Sequence, residues 1–302
     1  MGEGQQPLSA CPLTILAIEA TPSRVVIKNM KWLLFVAALV CTSLSALAHF
    51  HRNAPTAPEH LPTERFDPAL GNIQRLSDAV DAVRSHLPSN ASTQRQVAHA
   101  VEQFLRDRFY HGYSHFSFSD NWPAYFAGFV WSDLSAKVEP EDILSHPWAG
   151  CSQQAIVFQA ILARFGIEYA SIRIRNPANL ESVPKHFATV AKLDGRWYFV
   201  DSWDQLRRTR LGPVELDRLL LPNGAGEFKG SFGARYAAAL HSRHFSISDH
   251  NRFPAPRARL FGEITLWFSY WSWLILVCLF ALCWFAERPR SLLQWSAARS
   301  TC

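Results

Sequence analysis

The sequence predicts an α+β domain in which a buried helix packs on an antiparallel sheet, with N-terminal helices before it and a C-terminal transmembrane helix after it. Three observations predict this. From Gln153 to Phe165 nine of thirteen residues are apolar and only Arg164 is charged, the mark of a helix covered on most sides, and Gly166 provides its stop. In "HFATVAKLDGRWYFVD" two β-rich runs flank Asp194-Gly195, the pair preferred in a two-residue type I′ hairpin. Upstream, apolar stripes at helical spacing come first, and this order of helices and then antiparallel strands separates α+β from α/β.

Residues 1–29 carry no readable pattern. "MKWLLFVAALVCTSLSALAHF", Met30 to Phe50, has Lys31 at its head, no charge from Trp32 to Ala48, and small residues Ala46 and Ala48 at its end. That order reads as an export signal, cleaved after Ala48 or retained as an anchor, with Met30 as an alternative start. Residues 51–70 form a spacer rich in proline, and a domain follows over 71–248. Within it, Ile73, Leu76, Val80, Val83 and Leu87 stripe a first helix that stops at Pro88. Val97, Val101, Phe104, Leu105 and Phe109 stripe a second that stops before Gly112. "YSHFSFSDNWPAYFAGFVW" is aromatic without periodicity and reads as a packed loop or a groove lining. The buried helix, the strand "IEYASIRI" and the hairpin come next. Short helices are expected in "GPVELDRLL" and "SFGARYAAALHSR". A linker over 249–263 leads to the uncharged run over 264–286, long enough to cross roughly 30 Å of hydrocarbon, and a basic tail occupies 287–302. Trp267, Tyr270, Trp271 and Trp273 crowd one end of the run and Trp284 the other, as interfacial belts do.

Hydrophobic residues make up 48% of the chain and charged residues 18%, enough apolar material for a sizeable core, which argues against disorder. The net charge of +5 is shared with the ends: residues 49–263 hold 24 Lys and Arg against 22 Asp and Glu. No basic run with interleaved aromatics exists, so nucleic acid is not a partner. Arg24, Lys28 and Lys31 precede the first apolar segment and only Arg52 follows it closely, whereas the flanks of the second are balanced. The first segment therefore decides: its N-terminus and the basic tail stay cytoplasmic, and residues 49–263 face the periplasm or exterior.

Export bears on cysteine. Five of the six cysteines (Cys11, Cys41, Cys278, Cys283 and Cys302) lie in or beside the apolar ends, and only Cys151 belongs to the domain. Oxidising compartments favour paired cysteines, and Cys151 has no partner within its domain. It is a buried inert residue, an intermolecular link or a working thiol.

The hairpin gives the thiol company. With Asp194-Gly195 at the turn, Leu193 pairs with Arg196 and the register carries Ala188 opposite Asp201 and His186 opposite Trp203. His186 and Asp201 are then diagonal neighbours about 7 Å apart at the backbone, with small Ala188 leaving the gap open. The bland alternatives are a core histidine and an aspartate that caps the turn. Cys151 opens the buried helix, where free backbone N–H groups and the helix dipole favour a thiolate. If that helix packs on the His186 face, Cys151 becomes a nucleophile, His186 its base and later acid, and Asp201 the group that holds the ring's tautomer. Helix-start N–H groups could then stabilise an oxyanion.

These residues resemble the core of the transglutaminase-like superfamily, whose fold is related to papain-type thiol proteases. The pattern is a Cys opening a helix with Ala four residues on (Cys151, Ala155), Gly-Ile ending it (Gly166, Ile167), a His starting a strand (His186), and a Gly-x-Trp hairpin (Gly195, Trp197) leading to an Asp (Asp201). The resemblance covers roughly residues 148–204 and suggests a bacterial, membrane-anchored member. It implies a papain-like core, the Cys-His-Asp roles above, no metal, no organic cofactor, and acyl transfer. Ser152 stands where the crosslinking enzymes have Trp, which argues against protein crosslinking; Ser202 stands where many relatives have Pro. The expected activity is hydrolysis of a peptide or amide bond, with envelope protein or peptidoglycan among the candidate substrates. The alternative keeps the fold as a non-catalytic binding module in envelope assembly. Trp148, Trp122 and Trp203 either line the acyl site or only pack. The His pairs at 111/115 and 241/244 have metal-compatible spacing but no Cys or carboxylate in the pattern, and read as surface residues.

Overall fold

A computed structural model describes residues 24–50, 66–88, 93–175, 186–202, 212–221 and 237–286. Most of the N-terminal extension, most of the proline-rich spacer, the basic tail and Trp203 lie outside the described residues.

Between the apolar ends the chain is α+β, built on a five-stranded antiparallel sheet. Helix α1 is Arg24–Phe50. Helices α2 (Leu76–Ser85) and α3 (Gln94–Arg108) follow, then strand β1 (Tyr110–His111), α4 (Trp122–Val130), α5 (Pro140–Leu144), strand β2 (Trp148–Ala149) and α6 (Cys151–Arg164). The sheet strands are β3 (Tyr169–Ile174), β4 (His186–Leu193), β5 (Arg196–Val200), β6 (Val214–Glu215) and, after helix α7 (Leu216–Leu219), β7 (Phe245–Ser248). Their spatial order is β6-β5-β4-β3-β7, and β1 pairs with β2 as a separate parallel pair. Helix α8 is Pro256–Ala286 and takes in part of the expected linker.

Local chemistry accounts for these elements. Thr93 and Gln96 form a reciprocal capping box at the start of α3, with Thr93 N–H donating to Gln96 Oε1 at 2.8 Å. Asp194 (φ 52°) and Gly195 (φ 85°) both lie in the left-handed region that a type I′ turn demands. The resulting register is the one read from the sequence: Leu193 opposite Arg196, continuing to Thr189 opposite Val200. Helix α2 starts later than its apolar stripe suggests. Arg108, only 1% exposed, donates to the carbonyls of Ile73, Gly71, Leu144 and His146, and Leu70–Asn72 forms a 3-10 turn. That guanidinium takes carbonyls a longer helix would have used, and it ties the α5–β2 connection to the core.

The sheet is covered on both faces. On one, α2, α3 and α6 bury Val80, Val101, Leu105, Val157, Phe158 and Leu162 against Ala191, Leu193, Tyr198 and Val200. On the other, Leu216, Leu219 and the helical residues Ala237 to Leu240 cover Ile172, Val190 and Phe199. Each buried aliphatic or aromatic side chain of α6 contributes about 2 kcal/mol, which fixes this helix as the spine of the domain. The second layer explains why β4 is buried on both faces instead of alternating.

Among the described residues two helices, one near each end, are apolar enough to cross a membrane: Asn29–Ala48 within α1 and Pro256–Phe285 within α8. Among residues 1–42 and 272–302, the Phe35 and Phe280 rings lie 5.7 Å apart and Lys31 Nζ is 5.2 Å from the Trp284 ring centroid. These pairs run in opposite directions along the two helices.

Candidate active site

Cys151 is the first residue of α6 and is half-buried. Gly150 precedes it because the Tyr113 ring lies across that position: a Cβ on Gly150 would stand 2.7 Å from the ring. The next residue but one, Gln153, anchors the helix start. Its side chain accepts from the backbone N–H groups of Ser114 (2.8 Å) and Gly150 (3.1 Å) and donates to the carbonyls of Ser114 (2.8 Å) and Lys137 (2.7 Å). Gln154 Nε2 donates to the Ala149 carbonyl at 2.9 Å, and its Oε1 accepts from Ser202 Oγ at 2.7 Å. These two buried amides lock the turn that carries the thiol to the strand end that carries the acid.

His186 opens β4 and is 2% exposed; Asp201 follows β5 and is 6% exposed. His186 Nε2 and Asp201 Oδ2 are 2.6 Å apart, so the diagonal pair expected from the hairpin register closes into a hydrogen bond. With Nε2 occupied, Nδ1 is the ring atom left for a partner, and His186 lines the same groove as Cys151. The packing behind this contact differs from the expected one. Helix α6 covers the face of β4 that carries Thr189, Ala191 and Leu193, as the bond from Gln159 Nε2 to Thr189 Oγ1 marks. Strand alternation puts His186 with Ala188 and Val190 on the other face. Ring and thiol meet because each belongs to the first residue of its element, at the end of the helix–sheet interface.

Electrostatics follow from this geometry. For His186, burial disfavours the charged ring, but the Asp201 charge and hydrogen bond, assisted by Cys151, lift its pKa to about 10. For Cys151, burial pushes the thiol up, while the hydrogen bond and charge of His186, the Phe187 backbone N–H and Tyr113 outweigh it and hold the thiol below its ordinary value. The arrangement lowers the cost of a thiolate–imidazolium pair, as nucleophilic attack by sulfur requires.

Tyr113 is a functional candidate that the sequence reading missed. Its hydroxyl is 3.8 Å from Cys151 Sγ and accepts from Ser152 Oγ at 3.3 Å. Burial and the neighbouring thiolate push its pKa up to about 12, so it remains a proton donor beside the sulfur. His111, on β1, is held below its ordinary pKa by burial and by His186, against a smaller pull from Asp201, which places a neutral imidazole beside the charged pair. The available signals were weak. Tyr113 lies in an aromatic stretch with no period, and the signal that could have pointed to its neighbourhood is the pair Gln153-Gln154 at the head of a largely apolar helix, whose amides need partners when buried.

Cys151 and His186 line a groove of about 670 Å³ together with Tyr113, Ser152 and Phe187. Lys137, Arg173 and Arg175 also line it, with no carboxylate among the described lining residues. Lys137 is paired to Asp120 at 3.0 Å and Arg173 to Asp249 at 3.7 Å. Neither Trp148 nor Trp122 lines this groove. Trp122 packs its ring on Phe268 and Phe126, and Trp148 lies against His146. Among the described residues no group of three or more His, Cys, Asp or Glu side chains could hold a metal ion. Compared with known protein families and with curated proteins, the chain matches none, and the site stands on its own geometry.

Proposed function

We propose that the protein is a transglutaminase-like thiol enzyme that transfers acyl groups, with water as the default acceptor. The observation that carries this is the hydrogen-bonded Asp201–His186 pair, whose ring lines one groove with Cys151, the sulfur standing at a helix N-terminus. The Cys151 thiolate attacks the carbonyl carbon of a peptide or amide. Collapse of the adduct breaks the C–N bond, and the His186 imidazolium gives its proton to the departing amine. Water then adds to the thioester and loses a proton to His186; the acid leaves and the thiolate returns. Helix-start N–H groups and the Tyr113 hydroxyl serve the carbonyl oxygen in this reading.

The two apolar helices support a membrane-anchored protein whose α1 is retained as an anchor beside α8. Their opposed directions are consistent with both chain ends on the cytoplasmic side and the domain on the other. The substrates that suit this place are amide-bearing envelope proteins or peptidoglycan peptides.

The test is a screen of peptide and amide substrates with full-length protein in detergent. Product release by the wild type, with none from Cys151→Ala and with a thioester adduct on Cys151 caught by mass spectrometry, is the expected result. Turnover that persists in Cys151→Ala refutes the role of the thiol. A Cys151 alkylated by iodoacetamide only after denaturation favours the binding-module alternative.

A further inference from the structure

From Asn121 to Trp131 the chain has no charged residue. Helix α4 begins here by ordinary means: Asn121 Oδ1 accepts from the Ala124 backbone N–H at 3.2 Å, and a proline occupies the first turn. One side is buried through Trp122 and Ala124. The other is bare: Phe129 is 72% exposed, Val130 90% and Trp131 66%. Phe129 extends this surface back along the helix, with its ring 5.1 Å from that of Tyr125 and 6.2 Å from that of exposed Phe126, and Val130 and Trp131 follow it directly in the chain. A ridge of this kind on a folded domain marks an interaction surface.

The attachments of α4 identify what covers the ridge. Asn121 Nδ2 donates to Thr265 Oγ1 at 2.9 Å and to the Gly262 carbonyl at 3.3 Å, and the Trp122 ring centroid lies 5.9 Å from that of Phe268. Thr265 and Phe268 belong to the first two turns of the uncharged run that begins at Ile264, next to exposed Trp267, Tyr270 and Trp271. Helix α4 is therefore fastened to α8 at the aromatic belt, the depth at which a span enters the bilayer.

We infer that α4 and Trp131 form a membrane-seated foot, with the ridge from Phe126 to Trp131 lying in the interfacial layer of the bilayer that α8 enters. This rests on reading α8 as a span. The ridge carries no cation and is flanked by Asp120 and Asp133, so the contact is apolar burial in lipid and does not need anionic headgroups. The foot continues through the 3-10 turn Ser132–Ser135 into Ala136 and Lys137, which line the groove of Cys151. It thereby holds that groove at the membrane surface and selects acyl donors presented there over those free in solution.

The experiment reconstitutes the full chain into phosphatidylcholine vesicles containing a phosphatidylcholine with a diazirine on its acyl chain. After photolysis, adducts are mapped by mass spectrometry. Adducts are expected both within 264–285 and within 126–131. The combined substitution Phe129→Ser, Val130→Ser and Trp131→Ser, at exposed positions, reduces the second set at least tenfold and leaves the first unchanged. Labelling of 264–285 without 126–131 overturns the foot and leaves the anchor standing. Labelling of neither overturns the anchor and the foot with it, and equal labelling of other exposed segments of the domain overturns the foot as well.

Discussion

Replacing Asp201 with Asn keeps the shape of the acid and removes its charge, and the consequence for the thiol can be worked out. The rise of the His186 pKa from 6.5 to about 10 amounts to about 5 kcal/mol of preference for the imidazolium, and Asp201 is the first of the groups that raise it. Without that charge, burial of the ring prevails and His186 is neutral at pH 7. Cys151 then loses the cation that holds its pKa down and reverts towards or above the ordinary thiol range. A thiol of pKa about 8.5 is only about 3% ionised at pH 7, which sets a loss of up to about 30-fold in thiolate. The higher-pKa thiolate is the better nucleophile, so the net fall in alkylation rate at pH 7 is about threefold. The assay is the pH dependence of iodoacetamide alkylation of Cys151 in detergent-solubilised full-length protein, with near-UV circular dichroism to verify the fold. The wild type reacts readily below the ordinary thiol range, and Asp201→Asn reacts only as pH rises through it. Identical profiles for the two proteins, both rising only above about pH 8, refute the ion pair.

Three further outcomes follow from the same geometry. Gln153→Leu strands four buried backbone partners, Ser114 N–H and carbonyl, the Lys137 carbonyl and the Gly150 N–H, and should destabilise the domain by about 3 kcal/mol or more in urea unfolding. Gly150→Ala puts a methyl group 2.7 Å from the Tyr113 ring, so it should cost about 1–3 kcal/mol and slow turnover more than Tyr113→Phe, which removes only the hydroxyl. The raised pKa of His186 makes its stabilising contribution fully present below 6.5 and lost as pH rises through about 10; the Tm gap between wild type and His186→Gln should therefore be wide at about pH 6 and narrow above about pH 10.

Much of the site was legible because it is built from local geometry. A two-residue turn that needs positive φ at both positions admits Asp194-Gly195, and once the turn is set, strand pairing leaves His186 and Asp201 no other register. The apolar run after Gly150 likewise specifies a buried helix with Cys151 at its head, whatever it packs against. Helix α4 was not legible, since its residues are apolar all round and show no stripe, and the period-based reading left the segment as loop or lining. Strands β6 and β7 were missed because edge strands this short carry too few residues to display alternation.

By itself, then, the sequence determined the α+β class, the hairpin register, the spine helix and the two apolar helices, all of which depend on residues close together in the chain. Tertiary structure alone decided which face of β4 the helix covers, that a second helical layer closes the other face, and that Tyr113 and Gln153 frame the thiol. Those outcomes depend on pairings such as Ser114 with Gln153 and Asn121 with Thr265, between residues far apart in the chain. Hydrogen bonds and packing across such distances are chosen by the whole fold competing to satisfy buried polar groups at once, and no local pattern records that choice.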